Sequence, residues 1–390
     1  MPRTPAIAAL LAMLGITAAC SSGHHSAARS ATGDTITVTA GSCAPHWGAG
    51  RAGRQHFTVH NGGAATARVT LIDAATGGIF GQVWQVTSGT TRPLDVVIPA
   101  GKYRWRCIPI TGRATISATR TVRGPGGRGV KPLLPLSSEE INDATAQYKT
   151  SVQRGIGVLV TATDTLTTAV RTGALPAARR DWLPAHLAYE RLGAAYGTFG
   201  DLDGAINGRP DGLPDGTHDK DFTGFLRVEY GLWHNESAVT LRPAVVALDS
   251  SVHKLARTFP GTQIVPADIP LRAHEILENA LQFELTGDTD MGSHTNLATA
   301  QANTDGSIMV LGALTQQLRV RDSQLESSST TELAAFRRQL GEYDRGGAWR
   351  PLRSLTQSQR EALNSALGRL LENLALIPNI LQMPPSTAPT

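Results

Sequence analysis

Hydrophobic and polar residues alternate in short runs from Asp34 to about Gly124. Turn-forming residues such as Asn61-Gly62-Gly63 and Pro99-Ala100-Gly101 separate these runs. Alternation with a period of two is typical of strands that bury one face. Seven such runs at roughly ten-residue spacing predict a small all-β sandwich. The predicted strands are Thr35–Ala40, His56–His60, Ala67–Ile72, Gln82–Val86, Leu94–Ile98, Tyr103–Cys107 and Ala114–Thr121.

The apolar spacing becomes helical after Arg123–Lys131 (RGPGGRGVK), the clearest linker in the chain. Ser137 followed by Glu139 and Glu140 is a typical helix N-terminus, and this helix should extend to about Thr172. Pro184 should kink the second helix. Short connections between helices predict an all-α helical bundle. Further helices are predicted at 178–198, 222–234, 241–258, 268–286, 295–320, 330–342 and 356–376, with a Gly/Asp/Pro-rich irregular loop at 199–221.

The first residues have the pattern of a bacterial export signal. Arg3 precedes the apolar stretch Ala6–Ile16, and Thr17-Ala18-Ala19-Cys20 resembles a lipobox. Cleavage before Cys20 would leave a lipid-anchored protein on the outer face of the cytoplasmic membrane or in the periplasm. The alternative is an ordinary signal peptide cut nearby. The predicted division is then a signal peptide at 1–19, a tether at 20–33, a sandwich at 34–123, a linker at 124–134, a bundle at 135–384 and a tail at 385–390.

Composition argues against a nucleic-acid partner. The chain of 390 residues has a net charge of +4, from 36 basic and 32 acidic residues. The basic residues are 31 arginines and five lysines scattered along the sequence, without the clustering that nucleic-acid binding needs.

The three cysteines each have a predicted role. If Cys20 carries the lipid, Cys43 and Cys107 are left to pair outside the cytoplasm. A small exported sandwich with a cysteine near its end suggests a cupredoxin-like fold, but no His or Met follows Cys107 closely. We therefore expect a disulfide and no type 1 copper. The alternative is a Cys/His metal site that uses His46, His56 or His60.

Carboxylates and imidazoles in the helical region carry the candidate chemistry. His186 and Glu190 are four residues apart and share a helix face, as do His274 and Glu278. Such pairs are more often surface contacts than metal ligands, and the glutamates of 274–284 (HEILENALQFE) are typical of a solvated face. Glu229 differs because apolar neighbours predict that its helix is buried, and a buried carboxylate needs a partner or a metal. Carboxylates with imidazole suit iron, manganese or zinc.

Four stretches resemble the imelysin-like domain of the EfeO family of exported iron-uptake proteins. They are Tyr189–Arg191 (YER), Phe199–Asp203 (FGDLD), Gly224–Trp233 (GFLRVEYGLW) and Ser293–Gly306 (SHTNLATAQANTDG). The order of a cupredoxin-like domain, a linker and a helical domain is also that of the family. The resemblance implies an up-and-down bundle whose acidic cleft binds ferric or ferrous iron. It also implies two partners of the same system, a membrane iron permease and a haem peroxidase.

The chain departs from the family pattern at three positions. Leu226 stands where the Gly-Phe-His-x-x-Glu signature has His, Gly193 where many relatives have a second Glu, and Asn207 where an Asp is frequent. We therefore expect a weaker or altered metal site. The metal ligands implied by the resemblance, with His186 as local compensation, are His186, Glu190, Asp201, Asp203, Glu229 and His294.

Three function classes follow from these observations. The leading one is a non-enzymatic, lipid-anchored iron-binding protein that delivers iron to a permease. The second is an imelysin-type metallopeptidase, although His274-Glu275 only begins a His-Glu-x-x-His motif and no second His follows. The third is a metal-free module that binds polyanionic glycans.

Overall fold

A computed structural model of the chain describes residues 34–48 and 50–381. The predicted signal peptide, the lipidation site at Cys20 and the C-terminal tail lie outside these residues. Within them, strands up to Val122 precede helices from Ser138 onward, which confirms the predicted order of a β-region and a helical region. No helix of the described part is both long enough and apolar enough to cross a bilayer.

The β-region consists of two sheets that face each other across an apolar core. One sheet has the order β1-β2-β5, and the other has the order β4-β3-β6-β7 with β8 also pairing with β6. β1 and β2 are parallel, and the other pairs are antiparallel. The strands are β1 (Asp34–Val38), β2 (Gly53–Asn61), β3 (Ala67–Asp73), β4 (Ile79–Val86), β5 (Thr91–Ile98), β6 (Gly101–Pro109), β7 (Thr115–Ile116) and β8 (Arg120–Val122).

A disulfide and a tryptophan cluster lie at the centre of the β-region. The Sγ atoms of Cys43 and Cys107 are bonded, so neither residue offers a free thiolate. Trp105 is fully buried, and the rings of Trp47 and Phe57 meet it edge-on with centroids 6.3 and 5.0 Å away. The bond closes a loop with a sequence separation of 64, which restricts the unfolded chain.

The strand predicted at Ala114–Thr121 is divided into β7 and β8. Between them, Ser117 bonds to the backbone of Trp105 through both its N–H and its hydroxyl. The carbonyl of Ala118 accepts a hydrogen bond from the indole of Trp47. Because these groups are bonded to the buried tryptophans, the regular pairing with β6 is interrupted between β7 and β8.

Ten α-helices follow in the described part of the chain. The first packs against the second, fifth and seventh, and the core between them is continuous. The helices are α1 (Ser138–Arg171), α2 (Leu175–Glu190), α3 (Asp201–Asn207), α4 (Gly224–Trp233), α5 (Ala238–Thr258), α6 (Ile269–Asn279), α7 (Asn296–Arg321), α8 (Ser323–Gly341), α9 (Gln357–Leu374) and α10 (Ile377–Ile380).

Several helix boundaries differ from the prediction. The predicted loop at 199–221 contains α3, which begins after Gly200 at a φ of 58°. α2 includes Pro184 but ends at Glu190, and a 3-10 turn at Gly193–Thr198 replaces its predicted end. α8 begins seven residues early because the carboxylate of Asp322 caps its first backbone N–H groups.

The end of α6 also differs from the prediction. α6 ends at Asn279, and Ala280–Glu284 forms a π-helical turn. A π turn shifts the phase of the helix relative to its earlier face. This turn packs against α7, while α2 packs against both α4 and α7. α2, α4, α7 and the π turn therefore surround one region of the helical core.

Candidate metal site

A cavity of about 150 Å³ opens in this region of the bundle. Its walls come from α2, α3, α4, α6, α7 and the π turn, and they combine carboxylates and amides with apolar side chains. The lining residues are His186, Glu190, Tyr196, Asp203, Asn207, Arg209, Leu226, Ile276, Asn279, Phe283, Glu284, Thr289 and Asn303.

Glu190, the last residue of α2, is held as a buried carboxylate by two amides. Asn207 donates to its Oε1 at 2.7 Å, and Asn303 donates to its Oε2 at 2.6 Å. His186 Nε2 lies 3.1 Å from Oε1. Burial raises the pKa of Glu190, but the contacts with His186, Asn303 and Asn207 outweigh burial and leave this pKa below its usual value. The site therefore favours an ionised Glu190.

His186 presents an imidazole to the same cavity from one turn earlier on α2. Its ring stacks on Trp182 at 4.7 Å and contacts Phe225 at 5.4 Å. Among the described residues neither ring nitrogen has a partner with hydrogen-bond geometry, although Nε2 is within ion-pair distance of Glu190. Burial lowers the pKa of His186, but Glu190 and the charges of the other buried glutamates raise it above its usual value.

Glu284 is the ligand candidate that the sequence analysis missed. It lies on the π turn, is 7% exposed, and accepts hydrogen bonds from Thr289 and Asn296. Burial and the charge of Glu190 raise the pKa of Glu284 to about 7. The expectation that the glutamates of 274–284 lie on a solvated face was wrong for Glu284, which follows the buried Leu277 by seven residues and the buried Ala280 by four and so shares their side.

Glu229 of α4 is buried, as its apolar neighbours predict. Its Oε1 accepts hydrogen bonds from the backbone N–H groups of Met291 and Ser293 at 3.1 and 2.8 Å. Burial raises its pKa to about 7 although the bonds from Ser293 act in the opposite direction. A second space of about 10 Å³ lies beside it and is also lined by His186 and Glu284. These two residues connect Glu229 to the larger cavity.

The remaining predicted ligands divide into one that reaches the cavity and two that do not. Asp203 lines the cavity and accepts a 2.6 Å bond from the hydroxyl of Tyr189. Asp201 is exposed at the start of α3 and lines neither space. His294 is bonded through Nδ1 to Asp290 and also lines neither space.

Leu226 forms part of the cavity wall and is 2% exposed. This is the position at which the EfeO-family signature has His. The cavity therefore has an isobutyl group where an imidazole is expected, and His186 is the imidazole that lines it instead.

A compact group of possible ligand atoms lies elsewhere in the described part of the chain. Asp164 of α1 and Asp249 and His253 of α5 are the only three His, Cys, Asp or Glu residues there whose ligand atoms all lie within 4.8 Å of one another. All three are at least partly exposed, and His253 Nε2 contacts Asp164 at 2.8 Å. No three ligand atoms of the described buried residues are therefore this close to one another, so these residues would have to move closer around a bound ion.

The partial peptidase motif does not form a catalytic pair in the structure. Glu275, the general-base position of that motif, forms an ion pair with Arg272 at 2.7 Å. His274 lies 3.8 Å from Glu278, whose side chain is half exposed. Neither His274 nor Glu275 lines the cavity.

The charge balance of the buried cluster favours a cation. Glu190, Glu229 and Glu284 are buried around a single imidazole. Arg209 lines the cavity, but its guanidinium is stacked on Phe283 at 3.8 Å and paired with Asp211 at 2.9 Å. Oxygen ligands with one imidazole suit iron, manganese and zinc.

Residues 144–258 match the imelysin (peptidase M75) family model. The iron uptake system component EfeO of Yersinia pestis is 25% identical over 349 residues, which cover 89% of this chain and 90% of the relative. EfeO of Escherichia coli strain K12 is 25% identical over 362 residues with the same coverage. EfeO of Yersinia pseudotuberculosis serotype I is also 25% identical, over 349 residues. In its β-region, its helical region and its imelysin match, the chain is similar to EfeO proteins over most of its length.

Proposed function

We propose that this protein is an exported, lipid-anchored iron-binding component of an EfeUOB-type iron-uptake system, which delivers iron to a membrane permease. The observation that carries the proposal is the buried cluster of Glu190, Glu284, Glu229 and His186 at a cavity in the bundle. The similarity to EfeO iron uptake components over 89% of the chain supports the choice of iron as cargo.

The electrostatics of the cluster explain why a cation would bind there. Glu229 and Glu284 have pKa values of about 7, so each is about half protonated near neutral pH in the metal-free protein. A cation would stabilise the ionised forms and release protons on binding. We propose Glu190, Glu284 and His186 as the core ligands, with Asp203 and Glu229 close by. Ferric or ferrous iron is the proposed cargo, and zinc or another divalent metal could occupy the same ligands.

We extend the proposal to the N-terminal anchor and to the β-region. Lipidation at Cys20 would hold the protein at the membrane surface beside a permease, and a haem peroxidase would be the third component. The β-region, proposed as a cupredoxin-like domain spanning 34–123, would hold no type 1 copper because both of its thiols are in the disulfide. The bundle would span 135–384.

Equilibrium iron binding by the mature protein tests the proposal. The double variant Glu190→Gln/Glu284→Gln keeps the side-chain shapes but removes two charges, so iron affinity should fall by about a hundredfold or more. The matched control, Asp249→Asn/His253→Gln, removes ligands from the exposed group on α5 and should bind as the parent does. If the control loses iron binding and Glu190→Gln/Glu284→Gln keeps it, the iron binds at the exposed group on α1 and α5, and the proposal is refuted.

The proposed role is non-enzymatic. A zinc peptidase of the His-Glu-x-x-His type needs a free glutamate as general base, whereas Glu275 is paired with Arg272. We expect no cleavage of unfolded casein by the zinc-loaded protein. Cleavage that a chelator stops and that Glu275→Gln abolishes would instead establish a peptidase.

A further inference from the structure

The outer face of the five-stranded sheet carries adjacent arginines. On β6, Arg104 and Arg106 alternate with the inward-facing Trp105 and so point away from the core. Arg106 lies opposite Thr70 of β3, which places Arg68 diagonally beside it, within reach of a long side chain. We call Arg68, Arg104 and Arg106 the arginine face.

The guanidinium groups of the arginine face have no acceptors in the described residues. None of the three forms a side-chain hydrogen bond or a salt bridge within 34–48 and 50–381. The Nε atoms of Arg68 and Arg104 are shielded from solvent without a partner, and Arg68 is only 7% exposed. Burial and the nearby charge of Arg106 lower the pKa of Arg68. A guanidinium carries five N–H donors, and the partly exposed Arg104 and Arg106 can offer theirs to a carboxylate in charge-assisted bonds.

The nearest turn does not supply that carboxylate. Asp73, at the end of β3, accepts hydrogen bonds from the backbone of Ala75 and from both the backbone and the hydroxyl of Thr76. These contacts keep the aspartate in its own turn. The arginine face is therefore available to an acceptor from another molecule.

Exposed apolar side chains surround the arginine face. Trp84 is 48% exposed, and its ring lies 5.2 Å from the guanidinium of Arg68. Ile116 lies opposite Arg106 and is 52% exposed, and Ile110, just beyond β6, is 75% exposed. Arginine and tryptophan with apolar neighbours are typical of the centres of protein interfaces.

We propose that the arginine face docks a protein partner through the partner's Asp or Glu side chains. Arg104 and Arg106 would pair with those carboxylates, and Trp84 and Ile116 would pack against apolar side chains between them. This docking uses the β-region alone. It therefore does not depend on the metal cavity, and it can succeed or fail separately from the iron-binding proposal.

Binding of poly-L-glutamate to the mature protein in the presence of a chelator tests the proposal, with tryptophan fluorescence as one readout. Arg104→Gln/Arg106→Gln should weaken binding by about tenfold or more, which is about 1.4 kcal/mol. Arg54→Gln/Arg92→Gln is the matched control, because it removes the same charge from exposed positions of β2 and β5 in the other sheet. The control should bind within about twofold of the parent, since screened charges far from the contact contribute little. Trp84→Phe should remove the fluorescence change.

Three results would overturn the proposal. Absence of binding by the parent is the first, and equal weakening by the control pair is the second. Tighter binding to phosphatidylglycerol vesicles than to poly-L-glutamate is the third, because it would assign the face to a membrane. Arg104 and Arg106 are less buried than Arg68, so their double variant should fold. A circular dichroism spectrum that matches the parent's verifies this.

Discussion

At the scale of single residues, Leu226 is the most informative position in the cavity. It lies three residues before Glu229 on α4, so the two side chains are neighbours on one helix. Its isobutyl group occupies the cavity wall, where it offers a metal no electron pair. The His186–Glu190 pair on α2 provides the imidazole and one of the carboxylates that line this cavity.

Leu226→His should strengthen iron binding. The added imidazole would join the carboxylates at the cavity, and one further ligand should lower the dissociation constant by about tenfold. Isothermal titration with iron measures this. Leu226→Met is the control, because it keeps the volume without adding a nitrogen ligand. Equal affinities in the parent and in a folded Leu226→His variant would contradict the placement of the metal in this cavity.

Asn303→Ala should destabilise the metal-free protein through Glu190. The amide of Asn303 donates a 2.6 Å bond to a carboxylate that is 5% exposed. Removal of this donor leaves a buried charge with one fewer partner, which costs about 1–3 kcal/mol. Urea unfolding measures the change. Asn373→Ala, which removes a partly exposed amide bonded to Ser328, should cost clearly less. Equal losses in the two variants would show that the Glu190 contact has no special role.

At the scale of elements, α6 and the π turn that follows it show which features of the site a sequence pattern can predict. The apolar spacing gives the existence of α6 and the burial of α4, because both follow from a regular period of 3.6 residues. The same period places Glu284 on the side of the buried Leu277 and Ala280, but it does not reveal the hydrogen-bond donors Thr289 and Asn296 that make burial of a glutamate possible there. The family-like stretch Ser293–Gly306 contains Asn296 and Asn303, yet only the three-dimensional structure shows that they hold Glu284 and Glu190.

The helices α1 and α3 differ in the same way: local sequence determines where α1 begins, whereas tertiary contacts determine that α3 forms. The N-terminus of α1 was predictable from Ser137 and Glu140, which form a reciprocal capping box. The short helix α3 was not, because Gly, Asp and Pro dominate 199–221 and local propensity favours a loop there. Its Asn207 reaches Glu190, and burial of Ile206 anchors it to the core.

The metal-free protein should become more stable as the pH falls from about 8 to about 5.5. The pKa values of Glu229 and Glu284 rise from 4.5 to about 7 on folding, so the folded state holds protons that the unfolded state has lost. Their contribution is complete below about pH 4.5 and is lost as the pH rises through about 7. The raised pKa of His186 acts in the same direction. Each carboxyl contributes on the order of 3 kcal/mol, at 1.36 kcal/mol per pKa unit.

Chemical unfolding followed by the helical circular dichroism signal checks this pH dependence. Glu284→Gln cannot titrate and should flatten the dependence, whereas Glu278→Gln, on the half-exposed side chain of α6, should not. A parent protein whose stability rises from about pH 5.5 to about pH 8 would refute the assignment of raised pKa values.

Removal of the disulfide should weaken the β-region selectively. The Cys43–Cys107 bond closes a loop with a sequence separation of 64, so Cys43→Ala/Cys107→Ala should cost about 4 kcal/mol in the chain-entropy estimate. Hydrogen exchange should show lower protection in β2, β3 and β6 and unchanged protection in α1 and α5. Equal loss of protection in both regions would mean that they unfold as one unit.

At the scale of the whole molecule, acidic and basic side chains are concentrated in different regions, which the overall composition does not reveal. The net charge of +4 gives no sign that carboxylates are buried in the bundle or that the arginine face lies on the sheet. The buried glutamates suit a cationic cargo, and the arginines suit an acidic partner. If both proposals hold, cargo and partner bind to different regions of the protein. Binding of one then need not displace the other.

An anomalous difference map, recorded at the iron absorption edge from crystals of the iron-loaded protein, would locate the bound iron. We expect one strong peak in the bundle cavity, between the carboxylates of Glu190 and Glu284 and the imidazole of His186. A peak beside Asp164, Asp249 and His253, with none in the cavity, would contradict this expectation.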